Sequence, residues 1–177
     1  MTPNLTSRRF MLRAFQKADL AIFAAYRNRP EVARYQSWSH YSEEDAERLY
    51  HHMDYALFGT PGKWFQLAIA EKYENILWGD LALHFVDEQQ VEIGFTVAPE
   101  YQQKGVATEA VQTLLRHLFE HRKTHRVRAR TDTRNTACCG LLEKIGFRRE
   151  AHHRENIFFK GQWGDEYVYA LLRSEWT

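Results

Sequence analysis

The stretch APEYQQKGVATEAVQTLL, residues 98–115, decides how this 177-residue chain is read. An apolar, strand-like run stops at Ala98-Pro99. Five polar or aromatic residues follow, Glu100 to Lys104, and Gly105 then opens a segment with helical periodicity. The first turn of a helix presents amides with no intrahelical acceptor and a partial positive charge, a natural seat for an anion such as a phosphate. Gly105 lets the backbone approach that anion, small Ala107 leaves the turn uncrowded, and Lys104 adds a point charge. Taken alone, the Gln102-x-x-Gly105-x-Ala107 spacing also suits an ordinary strand-to-helix turn. Its place after a strand pattern and before a strongly amphipathic helix favours the anion seat.

Working outward, the helix is expected from about Gly105 to His121. Ala107, Ala110, Val111, Leu114, Leu115 and Leu118 form its buried face, with Glu109, Gln112, Arg116 and Glu120 opposite. Upstream, WFQLAIAE (64–71), ILWGDLALHFV (76–86) and QVEIGFTVA (90–98) read as strands joined by short polar turns, an antiparallel meander. RRFMLRAF (8–15) reads as an opening strand and 17–28 as a helix with Asp19 as a candidate N-cap. A second helix spans 42–58 behind a Ser42–Asp45 capping box. Downstream come a strand at 126–131, a short helix at 135–147 ended by Gly146, and a closing hairpin about the turn KGQWGD. Helices between strands, in a sheet that is mostly antiparallel, give a mixed α/β (α+β) class.

The length suits one compact domain, expected over residues 1–177. Lys and Arg number 24 against 23 Asp and Glu, so no net field draws the chain to nucleic acid or an anionic membrane. The N-terminal MTPNLTSRRFML lacks the apolar core of a signal peptide, and no run approaches a membrane span. The only cysteines, Cys138 and Cys139, are sequence neighbours, which argues against a structural disulfide and for a reducing, cytoplasmic setting.

The stretch EIGFTVAPEYQQKGVATEAV resembles the acetyl-CoA-binding motif of the GCN5-related N-acetyltransferase (GNAT) family, with Gln102, Gly105 and Ala107 at its signature positions. RNTACCGLLEKIGFRREA is similar to the family segment in which an asparagine-led helix precedes EK-x-GF. GQWGDEYVYALLRSEW and EVARYQSWSHYSEEDAERL resemble the ribosomal-protein N-terminal acetyltransferase (RimJ/RimL-like) branch. The resemblance runs in order along nearly the whole chain.

It implies a twisted mixed sheet, splayed at its centre with helices on both faces, and acetyl-CoA as donor. The pantetheine arm would pair with the backbone of Phe95, Thr96 and Val97, and the pyrophosphate would lie on the amides of Gln103, Lys104, Gly105, Val106, Ala107 and Thr108. Asn135 matches the family asparagine that bonds the pantetheine arm. The reaction implied is acetyl transfer to an amine, either a protein N-terminus or a small molecule, within a ternary complex. The alternative is a CoA-binding regulatory module without catalysis. Glu92 shares a strand face with Gly94 and Thr96 and is the first candidate base, with Glu150 and Glu155 as runners-up. Cys138 stands where the branch often has a serine proposed to protonate the leaving thiolate; its other reading is a small buried helix residue. Tyr35 and Trp38, with Tyr41, are expected to shape the acceptor pocket, and Glu155 to line it.

Nine histidines do not make a metal site: the adjacent pairs point apart, and His117 with His121 lacks an acidic partner. The basic run HRKTHRVRART (121–131) has no interleaved aromatics, so nucleic acid is not expected. Arg126 or Arg128 is a candidate for the adenosine end of CoA. A monomer or homodimer is expected.

Overall fold

The computed structural model describes residues 2–177. Its frame is an eight-stranded sheet: β1 (Leu5–Thr6), β2 (Phe10–Ala14), β3 (Trp64–Glu71), β4 (Leu77–Phe85), β5 (Gln90–Val97), β6 (Arg126–Asp132), β7 (Arg148–Phe159) and β8 (Gln162–Leu172). The spatial order is β1-β2-β3-β4-β5-β6-β8-β7. Short turns join β1 to β2 and make β3 to β5 the antiparallel meander that the strand patterns anticipate, and β2 pairs antiparallel with β3 across the helical segment between them. β5 and β6 alone run parallel, and a parallel pair needs a crossover. That crossover is α4 (Val106–Arg116), extended by a π turn over His117–His121.

α1 (Leu20–Arg27), α2 (Pro30–Ala33) and α3 (Glu43–His52) precede the meander, and α5 (Thr136–Ile145) follows β6. α4 buries Val106, Ala110, Val111, Leu114 and Leu115 in a core that includes Leu81, Leu83, Val91, Ile93, Val127 and Ala129. α1 and α3 cover part of the opposite face, packing Phe23, Ala24 and Ala46 on Ala68, Leu77 and Ala98. Strand alternation therefore assigns the two faces: odd residues of β5 such as Val91 and Ile93 turn to α4, and Glu92, Gly94 and Thr96 turn to the side of α1.

The sheet opens where the resemblance requires. Pairing between β5 and β6 ends at Ile93↔Ala129, whereas β5 stays paired with β4 down to Val97. Gly79 permits that last contact: a Cβ there would stand 2.4 Å from the Thr96 carbonyl oxygen. β5 thus follows β4 and parts from β6.

Local expectations needed several changes. The second helix stops at His52, and its Ser42–Asp45 capping box is present, with Asp45 N–H donating to Ser42 Oγ at 3.2 Å. Asp19 does not cap α1 with its side chain. Its carboxylate instead accepts two hydrogen bonds from Arg13, at 2.7 and 3.0 Å, and one from the Gln16 amide at 2.7 Å. The closing hairpin is longer than its sequence pattern, because β8 begins at Gln162 and the turn narrows to Lys160-Gly161.

Candidate active site

The opening between β5 and β6 continues into a cleft of about 550 Å³, walled by β5, the loop before α4, the first turn of α5 and α2. Phe95, Thr96, Val97, Gln102, Gln103, Gly105, Val106, Ala107, Thr108, Asn135, Cys138 and Tyr35 all border it.

Gly105 is the N-cap of α4, at φ +74°, and Gln103 is also left-handed at φ +61°. These two turns aim the loop backbone into the cleft. Among the described residues, the amides of Gln103 to Thr108 donate to no protein acceptor; the first loop-to-helix bond is Glu109 N–H to the Gly105 carbonyl at 3.1 Å. Six consecutive unpartnered donors thus stand at the helix start where the sequence reading expects an anion.

The loop is braced from behind. Glu109 accepts from the Ser7 hydroxyl at 2.7 Å, the Arg9 amide at 2.8 Å and Arg9 Nε at 2.7 Å. Burial opposes its charge, but these bonds outweigh burial and hold its carboxyl below the usual range. Arg9 also donates to the Lys104 carbonyl at 2.9 Å. Tyr101 stacks on Trp78, with ring centroids 4.0 Å apart. Gln102 lines the cleft, yet its amide nitrogen is turned to the Val97 carbonyl at 3.0 Å, tying the loop to β5. Lys104 lies outside the lining, its Nζ 5.9 Å from the Tyr101 ring centre. The cations that do line the cleft are Lys144 on α5 and Arg134, neither of which the loop motif reveals.

At α5, Asn135 is the N-cap, and its Oδ1 accepts from the Cys138 amide at 3.2 Å. Cys138 faces the cleft. Burial pushes its thiol up to about 11, against the lowering effect of the Thr131 hydroxyl, so the group is protonated at neutral pH.

Besides Lys104, three expected residues lie outside the lining. Glu92 does not border the cleft: its carboxylate meets Arg128 at 2.9 Å and Arg130 at 3.6 Å, two arginines that β6 brings to the same face. Trp38 packs on the Arg27 guanidinium at 3.9 Å and donates to the Arg27 carbonyl at 2.9 Å, so it supports α1 instead of facing an acceptor. Glu155 sits in a bulge of β7, outside the lining, its amide donating to Asp165 at 2.8 Å. The runner-up Glu150 is bound by Arg126 and Arg148. Arg126 and Arg128, the adenosine candidates, are engaged by these carboxylates and lie outside the cleft lining.

Residues 9–148 match the family described as Acetyltransferase (GNAT) domain. The chain belongs to the GNAT acetyltransferase family. It is 30% identical over 175 residues to uncharacterized N-acetyltransferase YnaD of Bacillus subtilis, covering 98% of this chain and 99% of that one. Over 85 residues it is 28% identical to ribosomal protein uS5-alanine N-acetyltransferase of Escherichia coli, covering 48% of this chain and 44% of the relative. The crystal structure of a GNAT-family acetyltransferase from Bacillus anthracis superposes with a TM-score of 0.87 at 31% identity, covering 99% of this chain and 100% of that one. The GNAT frame thus accounts for the open sheet, and its relatives are N-acetyltransferases.

Proposed function

We propose that the protein transfers an acetyl group from acetyl-CoA to a primary amine by direct attack within a ternary complex. The observation that supports this most is the row of unpartnered amides from Gln103 to Thr108, continuous with the unpaired edge of β5. The amides receive the pyrophosphate, Phe95 to Val97 offer their free edge to the pantetheine arm, and the Val97 amide polarises the thioester carbonyl. Asn135 Nδ2, without a protein acceptor among the described residues, serves the same arm. Tyr35, whose hydroxyl donates to the Arg134 carbonyl at 3.3 Å, closes the cleft from the acceptor side.

In the reaction the neutral amine nitrogen attacks the thioester carbon, the C–S bond breaks, and the sulfur leaves with a proton. A thiol near 11 stands protonated beside the cleft and suits Cys138 to deliver that proton, but not to serve as a covalent nucleophile. Cys138→Ala is expected to lower kcat about 10- to 100-fold with little change in KM, and Cys138→Ser to restore much of it. Unaltered turnover in the alanine variant would leave Cys138 as packing alone. The amine's own proton passes to water at the cleft mouth, because Glu92 would have to break its ion pairs to accept it. Glu92→Gln is accordingly expected to keep the acid limb of the kcat/KM–pH profile; disappearance of that limb would make Glu92 the base.

Thiol release from acetyl-CoA across N-terminal peptides and small amines tests the reading. Calorimetric CoA binding without thiol release from any amine would instead support a CoA-binding module. The proposal includes a cytoplasmic setting and one catalytic domain over the chain.

A further inference from the structure

Resting on the transferase reading, we infer that the acceptor bears an anionic group beyond its amine and that Arg130 receives it. On the face that displays Thr96, β4 and β5 set Ala82 opposite Gly94 and His84 opposite Glu92. Ala82 and Gly94 are both half-buried. They form a floor with nothing larger than a methyl group; a Cβ on Gly94 would stand 3.8 Å from that of Ala82. α1 and α3 pack over Ala68, Leu77 and Ala98 at one end of this face and leave the floor open. A shallow groove therefore runs along β5 from Thr96, at the cleft, toward Glu92.

Two arginines of β6 border this groove. Val127 and Ala129 turn into the core, so Arg128 and Arg130 of β6 turn outward onto the groove side. Arg128 is engaged by Glu92, with Nε at 3.0 Å and a second nitrogen at 2.9 Å. Arg130 approaches Glu92 only to 3.6 Å, makes no side-chain hydrogen bond among the described residues, and keeps 40% of its side chain exposed. Of the other carboxylates of this face, Asp80 is 2% exposed and sealed by Tyr26 and by Gln66, whose amide donates at 2.8 Å; Asp132 is held by Arg134 at 2.8 Å; and Glu166, opposite Asp132 on β8, accepts from Asn156 at 2.9 Å. Phe23, Trp38 and Tyr41 could have caged an ammonium, but Arg27 already fills them at 4.6, 3.9 and 4.6 Å. Glu31, the carboxylate in the cleft lining, is paired with Arg29 at 2.7 Å.

In register Glu166 is level with Thr96, at the amine end, so the distal end of a polyamine meets the Arg130 guanidinium and no vacant aromatic cage, whereas a distal anion is matched by Arg130. The reach is short. Continuing the register Glu92↔Arg128 by two residues sets Arg130 level with Gly94, and Thr96 lies two residues farther, about 7 Å along the strand. A four-carbon amine spans that gap.

The test compares kcat/KM for γ-aminobutyrate, butylamine and putrescine, which share chain length and amine and differ in distal charge. The acid is expected to exceed butylamine about tenfold, with putrescine below both. Arg130→Ala should erase the advantage of the acid, and Arg130→Glu should favour putrescine. A wild-type preference for putrescine, or an order unmoved by both variants, overturns the inference. The wild-type order decides by itself should a variant fold poorly. Thiol release from N-terminal peptides but from none of the three amines, or release in a different order, overturns this inference alone; release from no peptide and no amine overturns the transferase reading with it.

Discussion

Gly105→Val is expected to weaken CoA binding at least about 100-fold, the cost of one or two lost charge-assisted hydrogen bonds, while the fold survives. Gly105 holds φ +74°, a conformation that costs an ordinary L residue about 1–2 kcal/mol and a β-branched one more. Valine would escape that strain by rotating the N-cap, and the neighbouring amides would lose their common aim. The damage stays local because Gly105 is exposed: an added Cβ meets only an Arg9 nitrogen, at 3.5 Å, and Glu109 still ties the helix to Arg9 and Ser7. Calorimetry with CoA and far-ultraviolet circular dichroism together decide the matter. Full affinity in a folded variant would refute the phosphate seat and, with it, the donor side of the proposal.

Asp19→Ala is expected to cost about 3–5 kcal/mol of stability, because it strands a buried guanidinium. The Arg13 and Asp19 side chains are 7% and 4% exposed, and two parallel hydrogen bonds join them. Asn75 Oδ1 and the Ala14 carbonyl satisfy the rest of Arg13 at 2.9 and 3.0 Å, but neither supplies a charge. For a chain of this size the loss corresponds to roughly 10 °C in Tm. A change below about 1 kcal/mol in urea unfolding would show that water reaches Arg13 and replaces the carboxylate. The pair anchors the start of α1, whose far end carries Tyr26, bonded to Asp80 beneath the sheet face that the proposed function gives to the acceptor. A milder variant, Asp19→Asn, should therefore raise the acceptor KM before it affects CoA affinity.

Long-range packing supplies what the sequence patterns around Trp38 and Glu92 do not carry. Trp38 and Tyr41 were recognisable as a cluster, but the occupant of the cluster was not. Arg27 stands eleven residues before Trp38, and only the packing of α1 against the loop brings its guanidinium between the rings. Alternation alone places Glu92 on its strand face. Its partners lie on β6, 36 residues later for Arg128, and a parallel crossover sets that register without any local signal. No local pattern marks Lys144 and Arg134 either, since α5 meets the cleft only after β6 has diverged from β5.

The sequence by itself determined the features that depend on a few neighbouring residues: the alternation of β3 to β5, the apolar stripe of α4, the capping box of α3 and the left-handed N-cap at Gly105. Each follows from backbone sterics or from a repeat of 2 or 3.6 residues, and these act within a turn or two. Tertiary structure alone decided which charges meet, where the sheet parts and which polar groups are left without partners. Those outcomes depend on strands distant in sequence, with β4 keeping β5 and β6 releasing it after Ile93, and electrostatic pairing follows whatever that geometry brings within reach.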